Sequence, residues 1–256
     1  MTIPILFEDN DILVLNKPSG MTVNRSDTTK AEETVQDFVE KQLGLSPYRS
    51  NKPIAPNEYK SPEETFKERS GIVHRLDKET SGILLVAKTL SAFSNLQKQF
   101  QDRVVKKNYI ALAHGKIQPS TGEISVPVGR LEFNRKRFGV VAGGRESATE
   151  YHVLSYYQLA TKTQKEILSL VALFPKTGRT HQIRVHLKHI NHPIFADELY
   201  AGRKTARNDR KLLPRLFLHA AKIAFIHPVT EKEIHITSDL PQDLSDFLKT
   251  LTALQN

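Results

Sequence analysis

The chain has 256 residues, with 37 Lys+Arg against 28 Asp+Glu, a net charge of +9 and a pI near 9.6. This length fits one large domain or two small ones, and the absence of cysteine excludes a disulfide framework and thiolate metal or redox chemistry. The longest apolar runs, Ile83–Ala87 and Leu170–Phe174, fall far short of the ~18 residues of a membrane span, and Met1–Asn10 lacks the pattern of a secretory signal, so a cytoplasmic protein without membrane contact is expected.

Ile12–Leu15 reads as a short strand ending at the turn Lys17-Pro18-Ser19-Gly20. A helix is expected next, opened by Thr29-x-x-Glu32 in capping-box form. It carries Val35, Phe38, Val39 and Leu43 on one face and closes at Gly44. Residues 46–63, with Pro47, Pro53, Pro56 and Pro62, read as a variable loop. Gly82–Lys88 is a buried strand, followed by a short helix marked by Phe93, Leu96 and Phe100. Tyr109–Ile117, Glu123–Val128, Thr149–Ser155 and Glu166–Phe174 follow as strands without intervening helices. Thr180–Asn191 is expected to be helical with Thr180 as N-cap. Leu216–Ile226 and Glu233–Thr237 return to strand, and a last helix starts near Pro241 with Leu244, Phe247, Leu248, Leu251 and Leu254 on one stripe. Consecutive strands without crossover helices argue against a doubly wound sheet. The expected fold is α+β: one catalytic domain over residues 1–256, on a large mixed, mostly antiparallel sheet flanked by helices.

The positive charge is clustered. Arg203, Lys204, Arg207, Arg210, Lys211 and Arg215 lie in one stretch with a single acid, Asp209, and other groups sit at Arg103–Lys107 and Arg130–Arg137. Such clusters favour polyanions, because each phosphate contact releases counterions.

Two segments carry the polar chemistry. His74, Arg75, Asp77, Thr80 and Ser81 stand directly ahead of the core strand, and a rigid strand is a good mount for a reactive loop. In the expected helix Thr180–Asn191, Ile183, Leu187 and Ile190 share one face while His181, Arg184 and Lys188 share another. A partly buried Arg184 could pair with a carboxylate and keep it ionised. His186, His189 and His192 lack helical ligand spacing and a nearby carboxylate, so no metal site is expected. Neither phosphate-binding glycine motif occurs, and Asp77 and Glu79 are poorly spaced for a glycosidase pair. Cofactor-independent chemistry is what the residues leave.

Together these segments resemble the RluA-type pseudouridine synthases. The likeness runs from Asn16-Lys-Pro-Ser-Gly20 through His74-Arg-Leu-Asp77 with Thr80-Ser-Gly82, then Lys107-Asn-Tyr109. It continues through Thr177-Gly-Arg-Thr-His-Gln-Ile-Arg184 and His192-Pro193 to Arg215-Leu-Phe-Leu-His-Ala220 and His227-Pro228. The resemblance implies an isomerase acting on uridines in ribosomal or transfer RNA without metal or cofactor. Asp77 would be its catalytic aspartate, Arg75 the residue entering the RNA where the base leaves, Tyr109 the aromatic against the flipped uracil, and Arg184 the basic partner of Asp77. His74, Arg179, His181, Lys188, Arg203, Lys204 and Arg207 join Arg75 as expected RNA contacts.

Uridine conversion breaks the bond from ribose to N1 of uracil and remakes it to C5. A stacked base cannot turn in place, so the nucleotide must be flipped into a pocket. Asp77 could attack the sugar, attack the base, or remove a ribose proton to give a glycal. The stretches Asn134–Phe138 and Arg145–Tyr151 look more like relatives acting on large-subunit ribosomal RNA, which sets structured ribosomal RNA ahead of transfer RNA as the expected partner of a monomeric enzyme. The alternatives are the same chemistry on transfer RNA, or a non-catalytic RNA-binding or ribosome assembly factor on this scaffold. Motif-bearing sequence starts within twenty residues, so no separate N-terminal RNA-binding domain is expected. Two departures from the family pattern stand out: Asn191 and Ala196 occupy positions where glycine is usual, and Ala196 would be strained at positive φ.

Overall fold

The computed structural model describes residues 2–25, 32–48, 61–160 and 165–255. In chain order these form β1 (Ile5–Glu8), β2 (Ile12–Lys17), α1 (Val35–Leu43), α2 (Pro62–Arg69), β3 (Ser81–Ala87), α3 (Leu90–Gln101), β4 (Lys106–His114), β5 (Thr121–Ser125), β6 (Val128–Leu131), β7 (Asn134–Val140), β8 (Ala148–Ala160), β9 (Lys165–Pro175), α4 (Gln182–His189), α5 (Arg203–Asp209), β10 (Leu218–Ile226), β11 (Glu233–Thr237), α6 (Gln242–Lys249) and β12 (Thr252–Leu254). Ten strands belong to one mixed sheet, and β6 and β7 form a separate hairpin. The fold is α+β, as the strand succession predicts. Two compact units divide the chain: residues 1–105 with 223–238, and residues 106–222 with 239–256.

In the first unit β1, β2 and β3 are antiparallel neighbours, with Ile12 opposite Ala87 and Lys17 opposite Gly82. Every residue of β3 is buried, which its unbroken apolar run requires, because a strand covered on both faces shows no alternation. Ile12, Val14, Ile83 and Leu85 pack with Phe93 and Leu96 of α3 and with Ile223 and Phe225. Each such side chain contributes about 1.5–3 kcal/mol when fully buried. Helix α1 starts later than its expected cap. Thr34 is the N-cap, its hydroxyl accepting from Asp37 N while the Asp37 carboxylate accepts from Thr34 N, and Gly44 closes the helix in the left-handed region. Thr29 lies outside the described residues. The acid that completes a capping box must stand three residues after the cap, and the buried face begins at Val35, so Asp37 fills the role expected of Glu32. Helix α2, at the end of the stretch expected to be loop, has no buried face for a pattern to reveal. Its start is set by a Ser61–Glu64 capping box and by Pro62 in the first turn.

In the second unit β4, β9, β8 and β12 lie side by side, with β5 also on β8. Tyr109 stands opposite Leu173, and His114 opposite Leu168. Leu112, Leu168, Leu173, Ile183 and Leu187 share a core with Phe195, Leu244 and Phe247, where the rings of Phe195 and Phe247 stack at 4.9 Å. Helix α4 is shorter than expected, and its N-cap is His181 at φ 56°, not Thr180. Gln182 explains this: its Oε1 accepts from Arg179 N (3.0 Å) and Thr177 Oγ1 (2.6 Å), fastening the entry turn without a hydroxyl cap. Helix α6 stops at Lys249 instead of running to Leu254. Thr250 Oγ1 turns back to Phe247 O (2.7 Å), and Thr252–Leu254 pairs with Tyr156–Gln158 of β8.

Candidate functional site

The loop bearing Asp77 is built from both ends. Ser70 (φ 50°) and Gly71 (φ 79°) are successive left-handed residues that swing the chain off α2 and lay Ile72 against Val86 as a single antiparallel bridge. Gly71 has to be glycine: a Cβ there would stand 2.0 Å from the Ala87 carbonyl oxygen, which belongs to the backbone of β3. Val73 and Leu76 point into the core, Arg75 is exposed, and Asp77 is half-buried. Thr80 N closes the turn on Asp77 O (3.1 Å).

The far side of this loop is held by Lys17, which is 0% exposed. Its ammonium donates to the carbonyls of Pro18 (2.9 Å), Met21 (2.8 Å) and Lys78 (3.0 Å). Gly20 N also reaches Lys78 O (2.8 Å), and Ser19 Oγ donates to Glu79 O (2.7 Å). The segment Lys17–Met21 therefore grips the two residues that follow Asp77. His74 faces inward: Nε2 accepts from Leu85 N (3.0 Å), which puts the ring proton on Nδ1, and the ring stacks on Phe100 at 5.0 Å.

In the second unit Arg184 is 5% exposed and forks onto Asp197, itself 0% exposed, with Nε–Oδ2 at 2.7 Å and Nη2–Oδ1 at 2.8 Å. Asp197 Oδ1 also accepts from Leu199 N (3.0 Å) and Tyr200 N (3.2 Å). A bidentate pair saturated this way fixes the guanidinium plane. The Tyr200 ring lies against that plane at 5.0 Å, and its hydroxyl accepts from Phe138 N (3.0 Å) and shares a hydrogen bond with His181 Nδ1 (2.8 Å). The side chain of His181, expected on RNA, is thus engaged with Tyr200. Tyr109 is half-buried on β4 against the core. Beside it, desolvation pushes the Lys107 ammonium down to about 8.

Of the other expected RNA contacts, Lys188, Arg203, Lys204 and Arg207 are exposed, and Arg179 is half-buried with Nε on Glu146 O (3.3 Å). Arg203 and Arg207 are four residues apart on α5 and share a face, while Ala206 and Asp209 are buried. Asn191 (φ 63°) and Ala196 (φ 62°) both adopt the left-handed conformation, which favours glycine.

Several residues of the site were not singled out in the sequence. Lys17 stood in a turn and in the first motif of the family likeness without a role, and nothing in the linear pattern pointed to Asp197. His114 lies between two carboxylates, with Nδ1 on Glu166 Oε1 (2.8 Å) and Nε2 on Asp209 Oδ2 (3.0 Å). Burial lowers its pKa, and these two partners raise it to about 9. His186 is the opposite case: burial lowers its pKa to about 4. Its Nε2 donates to Ser147 Oγ (2.9 Å), and Nδ1 has no partner among the described residues. Asp9, Asp11 and His227 bring potential ligand atoms within 4.8 Å of one another. Both ring nitrogens of His227 are engaged, however: Nε2 donates to Asp9 Oδ2 (2.9 Å), and Nδ1 accepts from Val229 N (3.2 Å) and Thr230 N (3.0 Å). The trio fastens a turn.

The chain is similar to known proteins over most of its length. The family described as RNA pseudouridylate synthase matches residues 11–189. The uncharacterized RNA pseudouridine synthase YhcT of Bacillus subtilis is 37% identical over 246 residues, covering 96% of this chain and 71% of its own. Ribosomal large subunit pseudouridine synthase C of Buchnera aphidicola is 35% identical over 252 residues, covering 96% and 70%. Among solved structures, human RNA pseudouridylate synthase domain containing 1 superposes with a TM-score of 0.72 at 26% identity, covering 100% of this chain and 91% of that one. A conserved-length match of this extent, over the loop of Asp77 and the helix of Arg184 alike, places the chain in the RluA-type RNA pseudouridine synthase family, as an isomerase of uridine in RNA.

Proposed function

We propose that this enzyme isomerises specific uridines of large-subunit ribosomal RNA, with Asp77 as the nucleophile or base acting on a nucleotide flipped out of the RNA. The reaction conserves atoms: the N1–C1′ bond breaks, a C5–C1′ bond forms, the C5 proton leaves and N1 gains one. A single carboxylate with a fixed approach suits it, and no group has to be supplied from outside. The observation that carries the reading is the grip of Lys17 on Lys78 O, which holds the turn after Asp77 from a buried position. A reactive side chain on a loop gains most from such support. Tyr109 offers a flat face to uracil, worth about 1–3 kcal/mol in comparable stacking. In this reading Arg184 is the basic partner that the resemblance assigns to the aspartate, and Asp197 fixes its guanidinium.

In this reading Arg75 enters the RNA where the base leaves, Arg179, Lys188, Arg203, Lys204 and Arg207 take the RNA backbone, and His74 and His181 hold their neighbours in place. Helix α5 supports it. Arg203 and Lys204 occupy its first turn, where no acid is present and the helix dipole disfavours cations. Charge placed against local stability is better explained by a polyanionic ligand. Ribosomal RNA is preferred because relatives named for the ribosomal large subunit align over nearly the whole chain.

The test is complementation of cells lacking the gene, with pseudouridines mapped across total RNA. The native chain is expected to restore a site in large-subunit ribosomal RNA. Asp77→Asn is expected to lose at least about 10³-fold in rate while still binding RNA. An active Asp77→Asn enzyme would sink the assignment of the carboxylate, and a site restored only in transfer RNA would overturn the ribosomal preference.

A further inference from the structure

His114 has no place in the chemistry described so far, yet it is a buried histidine with a carboxylate on each ring nitrogen. Glu166 approaches from β9 and Asp209 from the end of α5, and the ring stacks on Phe195 at 5.3 Å. Asp209 Oδ2 is shared, since it also accepts from Ala196 N (3.1 Å). Ala196 is the left-handed residue of the turn, and the next residue is Asp197, whose carboxylate orients Arg184. The same turn is stitched along β4 around His114: His114 N donates to Pro193 O (3.0 Å), Phe195 N to Leu112 O (2.8 Å), and His192 Nδ1 to His114 O (2.7 Å). Arg210 Nε holds the other side of the strained peptide through Ala196 O (2.9 Å).

We infer that His114, acting through Asp209, is a positioning residue that fixes the Ala196–Asp197 turn and with it the orientation of the Arg184 guanidinium. Alanine adopts positive φ only where its surroundings impose it, and the one side-chain acceptor on the Ala196 amide is a carboxylate that His114 also binds. With both ring nitrogens facing acids, His114 serves as a cation. Loss of its proton turns a lone pair toward a carboxylate and weakens the hold on Asp209, which agrees with a pKa raised to about 9. The inference rests on the role proposed for Arg184.

The experiment uses the full chain and compares H114Q, D209N, their double variant and E166Q. For H114Q and D209N, kcat is expected to fall by on the order of 10 to 100-fold, as for a reactive group displaced by a fraction of an ångström. RNA affinity should stay within about twofold, because ground-state binding is not what the turn controls. The double variant is expected to be no slower than the worse single one, since both act through one contact. E166Q leaves Asp209 and its bonds in place but removes one of the charges that favour the imidazolium. The alkaline limb of its kcat profile is expected to move to lower pH by at least about half a unit. Titration of the RNA is common to both enzymes and cannot produce that shift. Weakened RNA binding with kcat intact would mean that the triad only braces the basic helix, and an unmoved alkaline limb would overturn the inference even if H114Q and D209N fail to fold. An active Asp77→Asn enzyme would discredit the underlying site without moving the E166Q profile, so the two failures are distinguishable.

Discussion

Lys17 shows how much a single side chain can determine. A fully buried ammonium needs polar partners, because removing a charge from water is costly. Here three backbone carbonyls receive it, and they belong to two segments about sixty residues apart in sequence. Replacing Lys17 with Met keeps the stem and removes the donor, leaving those oxygens without it. The expected loss is about 2–4 kcal/mol of stability, measured by equilibrium denaturation. Turnover at saturating RNA should fall more than RNA affinity does, because Lys78 O is released beside Asp77. Sequence reading reached Asp77 through its neighbours in the chain but read Lys17 as part of a turn, since nothing in a linear pattern reveals that a lysine is enclosed. Asp197 was equally hidden: Arg184 was recognisable as a cation beside an apolar stripe, whereas its carboxylate lies thirteen residues on, across a turn whose left-handed alanine no propensity would suggest.

At the level of elements, local chemistry was legible wherever an apolar period or a cap was complete. Strand β3 and the buried stripe of α4 followed from their patterns. Failures occurred where ends are set by other parts of the chain. Helix α4 lost its first residues to the amide of Gln182, and Leu254 joined a strand because β8 offered it unpaired backbone. Helix α5, seven residues with only Ala206 and Asp209 buried, has no apolar period to announce it, and the sequence shows only its charge. Its Arg203 and Arg207 are exposed one turn apart, so together they address adjacent phosphates. Changing both to glutamine is expected to weaken binding to all RNA sequences alike and to reduce the slope of log affinity against log salt by about 1.5. Titrations at several salt concentrations check this, and a loss confined to one RNA sequence would argue for base recognition instead.

Across the whole molecule, protonation sets the range over which the fold is stable. His186 has a folded-state pKa of about 4 against an ordinary value of 6.5, so its contribution is present above pH 6.5 and lost as pH falls toward 4. His114 has the opposite sign: with a folded-state value of about 9, its contribution is complete below pH 6.5 and is lost as pH rises through 9. Lys107, lowered to about 8 by desolvation, opposes that loss, because its cost in the folded state disappears as pH rises from 8 toward 10.5. The alkaline side should therefore be shallow and the acid side steep. Denaturation between pH 7 and pH 4 is expected to show a loss of about 3 kcal/mol that His186→Gln largely abolishes. A fall of the same size in that variant would assign it to carboxylates.

One consequence of the short last strand reaches beyond the isolated chain. Strand β8 spans thirteen residues, and on the side away from β9 it is covered in pieces, by β5 along Ala148–His152 and by β12 along Tyr156–Gln158. Three residues near the C-terminus thus cap a ribbon that would otherwise offer open amides and carbonyls to any other polypeptide. Trimming that tail, or fusing a tag that tugs on it, would bare that edge and make the chain prone to stick to its own copies.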